Sequence, residues 1–498
     1  MRPATTWVAL LTAAVGAASA AGGKADFSER LEFVEEARLG RAFEHVAVKA
    51  DRPMPWPAFV DYRYRTFKGS GKVEESDLGR NADATIWLAV LDEEYRTKGR
   101  LIFVEGGKVP GVASDRWLSL EEFERKIMPQ VVHSPEAFGG GDVERAVREL
   151  VDKAAALHEL PLSRLLLVPR EPEAGWRRLD PESRLWSSAR RLDEAYAVRD
   201  AEAMRRAARA LAAPLVVQPG YPSAAKLSLE IYLKKLAVLK IGFVLYVLSA
   251  LFFFVWAALG RRGFADAGAW VAFAGFVLMT AGLVGRSVIA GHLPTTSMYE
   301  YLVFFSWTAV LFFLLFYLKT RGAFIGVIVM PVAFLLVVLA SLFPADIEAQ
   351  LIPALQSWWL TIHVVLACLG EGAFAVAFAA AVLRLFRSDR PSERLPSKDR
   401  LEVIEYRAVV LGYPLFTVGA LVAGAIWAQK AWSIWWSWDP KETASLVVFL
   451  IATAYLHARH ARDWRGTRAA ALAVLIFVAA VFTLFANLIF GGLHSYGP

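Results

Sequence analysis

Four tryptophans fall within seven positions, Trp432, Trp435, Trp436 and Trp438, and run straight into Asp439-Pro440-Lys441-Glu442. Trp427 precedes them, and two histidines, His363 and His494, lie at the ends of other apolar segments. Indole faces stack on flat apolar ligands, and imidazole is a strong ligand for transition metals. A helix amino terminus near Lys441 or Arg286 can receive carboxylates. Assembled, these residues would suit a large planar macrocycle with a metal centre and two acid groups. A belt of interfacial tryptophans explains the aromatic run about as well, but it does not account for the histidines.

Whether the residues meet depends on the elements that carry them. The chain has 498 residues and is 56% hydrophobic, too apolar for an ordinary soluble enzyme. Runs long enough to cross a bilayer of about 30 Å begin near Ile241 and alternate with short charged loops. They predict eight transmembrane helices, at 241–259, 267–285, 301–318, 322–343, 358–383, 408–428, 440–457 and 469–490. The alternate loops 260–266, 319–321, 384–407 and 458–468 hold fifteen Lys and Arg, whereas the other short loops hold only Arg286, Lys430 and Lys441. The basic loops face the cytoplasm by the positive-inside rule. The tryptophan loop, the loops 286–300 and 344–357 and the carboxyl terminus then face outward. The same rule assigns the net charge of +7 to the membrane surface, so nucleic acid is not an expected partner.

Residues 1–23 combine Arg2, a short apolar core and Ala18-Ser19-Ala20, which describes a signal peptide or an uncleaved amino-terminal anchor. Residues 24–222 have soluble composition and are expected outside the cytoplasm as a mixed α/β domain. Within it, 84–104 alternates like strands, while 142–159 and 182–213 have helical periodicity. Residues 223–240 read as an amphipathic helix leading into the membrane domain, 223–498. Gly139-Gly140-Gly141 lacks the strand and the Gly-Lys-Ser/Thr of a phosphate loop and reads as a turn before a capped helix. The single cysteine, Cys368, allows no disulfide within the chain and no thiol pair.

Asp439, Pro440 and Glu442 form an amino-terminal capping signature for the seventh span. The remaining histidines divide by position. His45, His133 and His158 lie in the soluble region, where packing explains them. His292 suits a loop as well as a site, and His460 belongs to a basic loop. His457, at the cytoplasmic end of the seventh span, is as consistent with a ligand as with a neighbour of that loop.

At these residues the chain resembles a known family. "WSIWWSWDPKET" resembles the WWD motif of the haem-handling proteins of cytochrome c maturation, within a loop spanning 427–442. "GHLPTTSMYEYLVFFSW", "LQSWWLTIHV" and "GLHSYG" resemble the flanking segments of the CcsA (ResC) type of system II, over roughly residues 225–498. The resemblance implies haem b as bound substrate, with His363 and His494 as axial ligands and His457 at a second, inner site. It also implies a platform of Trp427, Trp432, Trp435, Trp436, Trp438 and Asp439. Expected partners are a ResB-like membrane protein, an apocytochrome c with Cys-x-x-Cys-His, and thiol reductants. The setting would be the bacterial cytoplasmic membrane. A haem carrier without ligation activity shares every motif and stays open. Ser433 stands where the family usually has glycine, and Glu371 has no assigned role.

Overall fold

The computed structural model describes residues 27–44, 46–49, 53–69, 76–109, 112–133, 141–169, 176–180, 182–218, 221–343, 345, 347, 351, 353–387 and 395–494. Segment 1–23, His45 and the glycines 139 and 140 lie outside them. The chain divides into two compact units, 1–231 and 232–498.

The first unit is mainly helical around an aromatic core. Trp56 and Trp87 pack 4.3 Å apart, with Phe43 against both. Three two-stranded antiparallel ribbons complete it, Ala47–Lys49 with Pro53–Pro55, Arg100–Val104 with Arg116–Ser119, and Leu167–Pro169 with Trp176–Arg178. The expected helices are present as Gly141–His158 and as the pair Arg184–Ala197 and Ala201–Leu215. One expectation is corrected. "ATIWLAVL" is not a strand but lies in the helix Ala82–Leu91, capped by the Asn81 side chain on the Asp83 and Ala84 N–H groups. Ala84 through Val90 are all buried, so the helix keeps no polar face to mark its period. Only the second half of that stretch, Arg100–Val104, is extended.

Among the described residues, eight helical segments are long and apolar enough to cross a membrane, and they make up the bundle of the second unit. They are α1 Val238–Leu259, α2 Arg262–Ala290, α3 Met298–Thr320, α4 Gly326–Ala340 together with the 3-10 turn Ala323–Ile325 that leads into it, α5 Trp358–Phe386, α6 starting at Lys398, α7 Pro440–Ala461 and α8 Thr467–Phe490. Small residues bring the helices close. A Cβ on Gly419 would lie 2.5 Å from the Ala367 nitrogen of α5, so these backbones meet only because the side chain is absent. Helix α6 runs as α-helix to Phe416, as π-helix from Thr417 to Ala423, and as α-helix again from Gly424 to Trp432. Pro414 lacks a donor and crowds the preceding turn, which is the kind of disturbance that shifts helical register.

Two buried ion networks fasten opposite ends of the bundle. At the tryptophan-loop end, Arg286 donates to Glu300 at 2.9 and 3.2 Å, and Glu300 also accepts from the Thr296 N–H and hydroxyl. At the other end Glu402 joins Arg384, Arg459 and the Gly466 N–H, tying α5, α6 and α7 to the start of α8. Glu402→Ala leaves two arginines facing an empty position in a buried network. It is expected to destabilise the folded protein by about 3–5 kcal/mol, read as a lower unfolding midpoint in detergent, whereas a surface change such as Glu32→Ala on an exposed helix position leaves the midpoint in place.

Candidate functional site

The tryptophan loop is held by two carboxylates. Glu442 Oε2 accepts from the Ser437 N–H, the Ser437 hydroxyl and the Asp439 N–H, and Asp439 caps α7 in return, completing the capping box. Ser433 and Trp438 both take left-handed conformations, at φ 61° and 60°. Ser433 is the residue that ends α6, where glycine would carry no Cβ penalty.

Asp439 does more than cap. It is 5% exposed, and its two oxygens accept four hydrogen bonds. Oδ1 takes the Lys441 N–H at 2.9 Å and His494 Nδ1 at 2.8 Å, and Oδ2 takes the Asn487 amide at 3.1 Å and the Leu493 N–H at 2.6 Å. The carboxyl-terminal segment reaches Asp439 through Gly491 and Gly492, at φ 72° and 119°. A Cβ on Gly492 would lie 2.3 Å from Asp439 Oδ2. Burial alone would push the Asp439 carboxyl up, but the His494 contact, the Lys441 N–H and the Asn487 amide hold it well below its ordinary range. Burial pushes the His494 imidazole down in spite of Asp439. A depressed carboxyl stabilises the fold above its unfolded value, near 3.9, and loses that contribution only as pH falls through the folded value. The contact accordingly persists through neutral and mildly acid pH.

His363 is fixed in a parallel way. Its Nδ1 lies 2.9 Å from the Gly419 carbonyl, which the π turn of α6 turns toward α5 while it also accepts from Gly424 N–H. Gly424 makes room, since a Cβ there would stand 3.0 Å from that Nδ1. A carbonyl and an ionised carboxylate can only accept, so Nδ1 carries the proton in both rings. In the neutral ring each Nε2 then keeps its lone pair. This is the tautomer that ligates a metal, with the second nitrogen oriented by a protein acceptor.

Trp427 stands against both imidazoles. His363 stacks on it at 5.9 Å and 5°, and His494 packs at 5.3 Å and 52°. Trp427 is almost fully buried and donates Nε1–H to the Ala354 carbonyl at 2.8 Å. Trp432 packs edge-on to both Trp427 and His494, at 4.7 and 4.9 Å. The other three tryptophans show no ring contact with either histidine among the described residues. Trp436 and Trp438 meet at 5.8 Å, and Trp435 and Trp438 are 59% and 69% exposed.

The remaining candidates are dispersed. Arg286 directs its donors at Glu300 and at the Ala345 carbonyl, 2.7 Å away. Lys441 places its ammonium 5.4 Å from the centre of the Tyr301 ring. Both cations expected to meet acid groups are thus directed at other partners. His292 turns its Nδ1 toward the Leu293 carbonyl. His457 is far away, about 25 Å along α7 from Pro440 at 1.5 Å per residue. It is exposed on the face of α7 that also carries Val447 and Leu450. Sequence reading assigned Asp439 to the platform and the cap, and missed its bond to His494. The signal was the Gly491-Gly492 pair just before the histidine.

Ser433→Gly is expected to relieve the left-handed conformation and stabilise the protein by about 1 kcal/mol, seen as a higher thermal midpoint in detergent with absorption unchanged. A midpoint lower than that of the parent protein would contradict the assignment of strain.

Comparison with known proteins adds the family. The family described as Cytochrome C assembly protein matches residues 295–494. The Cytochrome c biogenesis protein CcsA of Gloeothece citriformis (strain PCC 7424) is 35% identical over 277 residues, covering 44% of this chain and 84% of the relative. That of Prochlorococcus marinus (strain NATL2A) is 35% identical over 300 residues, covering 52% of this chain and 94% of the relative. Cytochrome c Heme Lyase CcmF gives a slight structural likeness, TM-score 0.42 at 18% identity over 50% of this chain and 46% of that one, on which nothing further is built. On its relatives, the chain is a multi-pass membrane protein and belongs to the CcsA family of cytochrome c biogenesis proteins.

Proposed function

We propose that this protein binds haem b through His363 and His494 and presents it to an apocytochrome c for thioether attachment. The supporting observation is that both imidazoles donate through Nδ1, which leaves both Nε2 atoms unprotonated beside one buried indole. Neutral imidazole nitrogens are the usual axial ligands of a six-coordinate haem iron. Haem is the substrate here. Its iron would be held by the two Nε2 atoms and its ring would lie against indole faces. The exposed Trp435 and Trp438 would cover the side of the macrocycle that the protein leaves open.

The excess of Lys and Arg in the alternate loops supports an outer-side position for the tryptophan loop on a bacterial cytoplasmic membrane, and the signal-like segment 1–23 supports an exported position for residues 24–222. In the reaction, each cysteine thiol of the partner's Cys-x-x-Cys-His adds across a haem vinyl group, with sulfur going to one carbon and hydrogen to the other. The contribution of this chain is orientation, and holding reactants in register can remove several kcal/mol from a barrier. Iron and thiols must be reduced, and electron donors and thiol reductants are separate proteins in this account.

His457 supports a second site at the opposite end. An imidazole exposed on an apolar helix face is expensive against lipid, so a partner is expected to cover it. A ResB-like membrane protein supplying the other axial ligand meets that need. The rival reading, a haem carrier that transfers haem without joining it to protein, is separated by covalent haem in an apocytochrome co-expressed with this chain and its partner.

His363→Ala and His494→Ala are each expected to lower haem per protein several-fold and to abolish cytochrome c formation, with partial recovery on added imidazole. Retention of full haem and activity in the double variant would rule the assignment out. His457→Ala should lower haem in the complex with the partner while changing little in this chain purified alone. Six-coordinate haem at that end of the isolated subunit would contradict the shared site.

A further inference from the structure

Beside the proposed haem site lies a polar cluster that the proposed function leaves unused. Tyr301 of α3 donates its hydroxyl to Glu371 of α5, at 2.9 and 2.8 Å from the two oxygens, and Glu371 is 1% exposed. The Lys441 ammonium stands over the Tyr301 ring, 5.4 Å from its centre. Among the described residues this ammonium makes no ion pair within 4 Å. Ionisable groups inside a spanning bundle are costly and commonly mark function. A cation on an aromatic face gains some attraction, but keeps its full charge.

The lysine is tied to the haem site through its backbone. Its N–H and His494 Nδ1 share one oxygen of Asp439. Ferric haem carries one more positive charge than ferrous haem, and a fixed cation in a medium of low dielectric disfavours the extra charge.

We propose that Lys441, held over Tyr301 beside Glu371, raises the reduction potential of the haem bound between His363 and His494 and so keeps its iron ferrous. This rests on the reading of the two histidines as axial ligands. The electron comes from a donor outside this chain, and the lysine contributes only its field. Its charge biases the bound haem toward the oxidation state that thioether formation requires.

The test is spectroelectrochemical titration of the purified membrane complex in a His457→Ala background, so that one haem remains. Lys441→Gln should retain haem and lower the ferrous-to-ferric ratio at fixed ambient potential at least tenfold, a shift of about 59 mV for one electron. Lys441→Arg should titrate near the parent protein, and so should Tyr301→Phe, which keeps the aromatic face. A loaded Lys441→Gln variant with unchanged potential overturns the proposal. So does loss of haem from Lys441→Gln, because the lysine would then hold the substrate rather than set its potential. Failure of the underlying reading has a different sign, namely unchanged haem in His363→Ala and His494→Ala made in the same background.

Discussion

The carboxylate of Asp439 is the constraint on which the site depends. It starts α7, receives the end of α8 through Asn487, fastens the carboxyl-terminal turn at Leu493, and orients His494. Four donors on one buried carboxylate make each contact conditional on the others, as in any cooperative polar network. Removing one releases more than one element. The charge is also well matched to its place, since a carboxylate at a helix amino terminus is favoured by the dipole.

The second histidine is set by a different device, a change of helical register. The π turn presents the Gly419 carbonyl to His363, and two glycines permit the approach. One imidazole is thus oriented by backbone and the other by a side chain, yet both end in the same tautomer beside Trp427. The ion networks of Arg286 and Glu402 work at longer range. The first joins α2 to α3 and to Ala345, the second joins α5, α6 and α7 to the start of α8, and neither touches the two imidazoles.

Much of this was legible in the sequence for stated physical reasons. Apolar runs and loop charge revealed the eight spans, because a bilayer leaves little alternative to a helix. The capping box at Asp439 was legible because it acts over four consecutive residues. The bond from Asp439 to His494 was not, since it joins positions 55 apart. The π turn was hidden because Thr417–Ala423 is apolar after Thr417 and carries no mark of its register. The same lack of pattern concealed the helix Ala82–Leu91, buried on every side. Counting tryptophans could not divide the five by position. Trp427 and Trp432 touch the histidines, whereas Trp435, Trp436 and Trp438 stand apart from them.

The most direct test of the central claim is an experimental density map of the haem-loaded complex at a resolution that shows ring orientations. The account predicts iron between Nε2 of His363 and Nε2 of His494, with Nδ1 of each still on Gly419 and Asp439. Iron bound through either Nδ1, or haem placed away from one of the two histidines, would contradict it.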